Sequence, residues 1–108
     1  MALAARASMS TVNWAEVLSK LTSLGQAPEM VAAQLTSQYV LGDMLVLTDF
    51  DDELAREVAR LRPLTKSFGL SIGDRACLAL AKRLNLPVLT TDHTWASLEL
   101  GIDIRLVR

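Results

Sequence analysis

Three carboxylates, Glu16, Asp74 and Asp92, have the residue type to hold a hard cation. They stand in the segments STVNWAEV (from Ser10), GLSIGDRAC (from Gly69) and VLTTDH (from Val88). Oxygen donors of this kind suit Mg²⁺ or Mn²⁺, and distant pieces of chain can bring them together. Each acid also has a local structural use. Asn13 and Glu16 have capping-box spacing, Ser71 and Asp74 have a similar spacing, and Asp92 can serve as an N-cap. An acid in a first helical turn gains roughly 0.3–1 kcal/mol from the helix dipole. Taken singly, spacing favours capping for each; taken together, the three point to a metal site. Asp49, Asp51 and Asp52 also precede a helix, with Asp49 and Asp52 at capping spacing, and read as a solvated capping cluster.

The elements that must position these acids follow from the apolar pattern. A stretch from Ala7 is expected as a strand leading into a first helix over residues 14–24, with Trp14, Val17, Leu18, Leu21 and Leu24 on one stripe and Gly25 as its stop. Pro28 opens a second helix to about Val40. The run 44–48 is too short for a helix and suits a strand buried on both faces. A third helix runs from about Asp51 to Arg62 with Leu54, Val58 and Leu61 inward, ended by Pro63; residues 63–70 are a loop. The fourth, about Gly73 to Leu84, carries Cys77, Leu80, Ala81 and Leu84 at core spacing. A strand over 87–91, a short helix around Trp95 to Leu100 and a last strand over 102–107 complete the chain. Helices alternating with strands imply an α/β fold with a mainly parallel sheet. Ligands of such folds bind at the carboxyl ends of the strands, where Asp92 and Glu16 fall.

The 108 residues suit one domain, 51% hydrophobic and so able to build a core. A net charge of −1 excludes a global polycation, so any nucleic-acid surface must be local. One cysteine fits a reducing compartment. No apolar run approaches the ~20 residues of a membrane span, and the N-terminus lacks the apolar region of a secretory signal. A cytoplasmic protein without a membrane partner is expected.

Other residues have competing uses. His93 reads as a surface residue, Trp95 as a wedge against the sheet, Trp14 as part of a helix stripe and Cys77 as core. Arg75, next to Asp74, has two readings, a phosphate contact or part of a solvated face. Lys82 and Arg83 read as a solvated face.

The stretch TVNWAEVLSKL from Thr11, followed by GLSIGDRACLALAKRLNLPVLTTD from Gly69, closely resembles PIN-domain ribonucleases, and among them the VapC-type toxins of toxin–antitoxin pairs. The similarity runs from about residue 9 to Arg108. It implies metal-dependent cleavage of RNA with Mg²⁺ or Mn²⁺. It makes Glu16, Asp74 and Asp92 the catalytic and metal-binding acids. Asn13, Thr90 and Thr91 become supporting groups and Arg75 an RNA contact. It also implies an antitoxin protein as partner.

The chain departs from the family in one respect. The family opens with a strand ending in an aspartate, and nothing before Met9 matches it; residues 1–12 hold no acid. The expectation is therefore a single truncated PIN-like domain over 1–108, lacking the central first strand, impaired in catalysis and driven to a homodimer by exposed strand edges. The rival reading is a non-catalytic PIN-like module that binds antitoxin or itself. A different Mg²⁺-dependent phosphate enzyme is disfavoured because no phosphate-binding glycine loop is present.

Overall fold

The computed structural model describes residues 7–107. In chain order it contains β1 (Ala7–Ser10), α1 (Thr11–Ser23), α2 (Pro28–Ser37), β2 (Leu45–Thr48) and α3 (Asp52–Thr65). A 3-10 turn (Lys66–Phe68), α4 (Ile72–Leu84), β3 (Val88–Thr90), a second 3-10 turn (His93–Ser97) and β4 (Ile104–Leu106) follow. The chain is a mixed α/β protein with parallel strands and four α-helices. It divides into two compact units, the first ending at Phe50 and the second beginning at Asp51. Among the described residues the strands pair within the units, β1 with β2 and β3 with β4, so the expected sheet is present as two parallel ribbons.

In the first unit, β1 and β2 run in register from Ala7 opposite Leu45 to Ser10 opposite Thr48. The Phe50 amide donates to Thr11 Oγ1 at 3.0 Å, which ties the exit of β2 to the entry of α1. Ser10 caps α1 by accepting from the Asn13 amide. The helix thus starts three residues before Trp14, and Asn13 lies inside it. The α1 stripe buries less than its pattern implies: Trp14, Leu18 and Leu21 are half-buried, and Val17 and Leu24 are exposed. The β2 residues, expected to be buried on both faces, are all half-buried. Within this unit the ribbon offers β2 one strand neighbour only, less cover than a central strand of a wider sheet receives. Among the described residues of this unit only Val31 and Ser10 are fully buried.

The second unit holds the core. Helices α3 and α4 pack together, and Leu54, Val58 and Leu61 of α3 and Ala76, Leu78, Ala79, Leu80 and Ala81 of α4 are buried, as are Val88, Trp95 and Leu98. Of the α4 stripe, Leu80 and Ala81 are buried, Cys77 is half-buried and Leu84 is exposed. Trp95 is buried, as a wedge should be. Pro63 does not end α3, which continues to Thr65. A proline in the last turn removes one intrahelical donor, and the buried Thr65 hydroxyl holds that turn by donating to the Leu61 carbonyl at 2.9 Å.

Three helices end alike. In α1, α2 and α4 the residue after the last turn turns left-handed and two amides reach back to the final carbonyls. Gly25 and Asn85 suit that conformation; Tyr39, which stops α2 at Ser37 and short of Val40, is the costlier choice. Asp51, rather than Asp49, caps α3, accepting from the Leu54 amide. Its carboxylate also takes two hydrogen bonds from Arg83, and Glu57 takes one each from Arg60 and Lys82. Lys82 and Arg83 therefore pair with acids of α3.

Candidate metal centre

Asp74 is the third residue of α4 and completes a capping box. Ser71 Oγ accepts from the Asp74 amide at 3.1 Å, and Asp74 Oδ2 accepts from the Ser71 amide at 3.0 Å. The side chain is half-buried. The SxxD spacing is satisfied here as read, and the box fixes where the carboxylate points.

Asp92 follows the carboxyl end of β3 and caps the 3-10 turn at His93. Its Oδ1 accepts from the Thr94 amide at 2.9 Å and from Thr94 Oγ1 at 2.6 Å. The Thr94 hydroxyl, the Thr94 amide and the neighbouring His93 charge hold the Asp92 carboxyl below the ordinary aspartate value. Thr90 Oγ1 accepts from the Asp92 amide at 3.0 Å, which fixes the backbone carrying the acid. Thr91 is exposed.

Glu16 is exposed and lies in the second turn of α1, because the helix begins at Thr11. The expected Asn13–Glu16 capping box is therefore absent; the cap is Ser10. The pair interacts differently. Ser10 Oγ donates to Asn13 Oδ1 at 2.8 Å, and Asn13 Nδ2 donates to Glu16 Oε1 at 3.2 Å. This chain orients the amide so that its donor faces the carboxylate, the arrangement of a group supporting a ligand.

Arg75, expected beside RNA phosphate or on a solvated face, is 8% exposed, and its Nη1 donates to the Val58 carbonyl of α3 at 3.0 Å. His93 is exposed and Cys77 half-buried. Ser10 and Thr94 are the functional candidates that sequence reading passed over. Their signals were present: a hydroxyl three residues before Asn13, and one two residues after Asp92.

In donor chemistry the acids fit Mg²⁺ or Mn²⁺, being oxygen donors with solvent access. Asp74 and Asp92 belong to the second unit and Glu16 to the first. Among the described residues no three His, Cys, Asp or Glu side chains come together as a metal-holding group. Among the same residues no helix is long and apolar enough to cross a membrane.

A family comparison now gives the arrangement a class. The PIN domain profile matches residues 1–99. The chain belongs to the PIN-domain family, whose fold is of the nuclease type. No curated protein and no solved structure matches it.

Proposed function

We propose that the chain is a metal-dependent endoribonuclease of the VapC toxin type. The observation that carries this reading is the placement of Asp74 and Asp92, each at the head of a helical segment, the first oriented by the Ser71 amide and the second by the Thr94 hydroxyl, within a PIN-domain chain. Glu16, Asp74 and Asp92 would hold Mg²⁺ or Mn²⁺. Such a cation, when bound, lowers the pKa of a water and offsets charge on a scissile phosphate. The chain's own groups prepare the acids. Ser71 fixes the direction of Asp74. Thr94 keeps Asp92 ionised, and Thr90 anchors its backbone. Asn13 presents an N–H to Glu16. RNA is the proposed substrate, with an antitoxin protein and a second copy of the chain as partners and the cytoplasm as the site of action.

One observation favours a second reading, a non-catalytic interaction module. Residues 1–12 hold no acid to stand where the family's strand-end aspartate would, and a site with fewer carboxylates holds a hard cation more weakly.

RNA cleavage by the purified chain with Mn²⁺ or Mg²⁺ separates the two, run beside an EDTA control and Asp74→Asn. Metal-dependent cutting, reduced at least ~10-fold in Asp74→Asn, is the expected result. A chain shown to be folded that cuts nothing would establish the interaction module in its place.

A further inference from the structure

Among the described residues, Arg75 is the one charged side chain that the second unit buries. It sits in the first turn of α4, where the helix dipole opposes a cation. One guanidinium nitrogen, Nη1, crosses to the Val58 carbonyl, 17 residues away in sequence. Another, Nε, is buried without an acceptor. A buried cation with an unsatisfied donor is a poor way to stabilise a core, and an apolar side chain of similar length commonly does as well or better. Fold stability therefore does not account for an arginine here. What an apolar residue could not supply is a directional tie from the turn that bears Asp74 to the backbone of α3.

We infer that Arg75 is a positioning residue that sets the Asp74 carboxylate by fastening the first turn of α4 to the Val58 carbonyl. The inference rests on the reading of Asp74 as a metal ligand. The two residues are adjacent in one helical turn, so a rotation of that turn moves both. The capping box fixes Asp74 relative to its own helix. The arginine fixes that helix end relative to its neighbour. Arg75 then acts on the site through Asp74 rather than on the phosphate.

The test compares wild type with Arg75→Met, Arg75→Lys and Asp74→Asn in three measurements. These are unfolding temperature, Mn²⁺ affinity by calorimetry, and amide hydrogen exchange over residues 72–76. In Arg75→Met the Val58 carbonyl keeps the helix's own donor four residues on, so no buried acceptor is stranded. The expected result is an unfolding temperature at or above wild type, Mn²⁺ affinity lowered ~10-fold or more, and faster exchange in the first turn of α4. Arg75→Lys, which keeps a donor on a flexible stem, recovers part of both losses. Unchanged affinity and unchanged exchange in a folded Arg75→Met would overturn the inference, as would a loss of stability with no loss of affinity. If wild type binds no Mn²⁺, the metal reading fails by itself. Exchange then decides the tie: faster in Arg75→Met sustains the fastening role, unchanged removes it.

Discussion

Thr94 grips Asp92 with both its hydroxyl and its amide. The hydroxyl is the larger cause of the lowered carboxyl pKa, ahead of the amide and the His93 charge. Because the folded value lies below the unfolded one, this contact adds stability above the ordinary aspartate pKa and loses it as pH falls through the lowered value. Thr94→Val keeps the amide and removes the hydroxyl. The Asp92 carboxyl should then titrate closer to its ordinary value of 3.8, as followed by carbon-detected NMR. An unshifted titration would mean that the hydroxyl is not the main cause. At this scale the sequence was legible wherever the partner lay a few residues away. The Ser71–Asp74 box and the Asp92 cap follow from spacing alone. The Asn13–Glu16 spacing points to a capping box that does not form, because Thr11 and Val12 join the helix and move its cap to Ser10. Arg75 was not legible, since its partner is the Val58 carbonyl of another helix.

Among the elements, α3 and α4 are joined by charge as well as by their apolar faces. Arg83 meets Asp51 across 32 residues of sequence, and its two hydrogen bonds, with that of the Leu54 amide, lower the Asp51 pKa to about 2. The unfolded value is 3.8, so the contribution is complete above that pH and fades as pH falls through about 2. Asp51→Asn retains an N-cap and loses the ion pair. Acid unfolding followed by circular dichroism should show wild type losing stability over that window more steeply than Asp51→Asn. Superimposable acid limbs would show that solvent screening leaves the half-exposed pair without effect. The stripes of α3 were readable in the sequence because leucine and valine at helical spacing do face a core there. That of α1 misled for the converse reason: its apolar residues have the same spacing, and no α1 residue is fully buried. Periodicity reports which side of a helix is apolar, and only the neighbours decide whether that side is covered.

At the scale of the whole molecule, α/β class and parallel pairing were both readable from the alternation of elements, while the division into two ribbons was not. That division has a consequence for how the chain behaves in a crowded solution. Within its own unit, and among the described residues, every strand has a neighbour on one side only. Each therefore leaves a row of amides and carbonyls that no strand of its own unit takes up, and such a row can recruit another strand. Proteins commonly protect such rows with charge, yet Arg105 is the only charged residue in the four strands. Light scattering should accordingly show particle mass rising with protein concentration, and Leu89→Lys, at a β3 position already 64% exposed, should reduce that rise without unfolding the chain. A single unchanging mass across the concentration series would mean that these rows are shielded. If mass does rise, solubility becomes a property of the company the chain keeps: whatever strand lies against those rows decides whether it stays dispersed or accumulates.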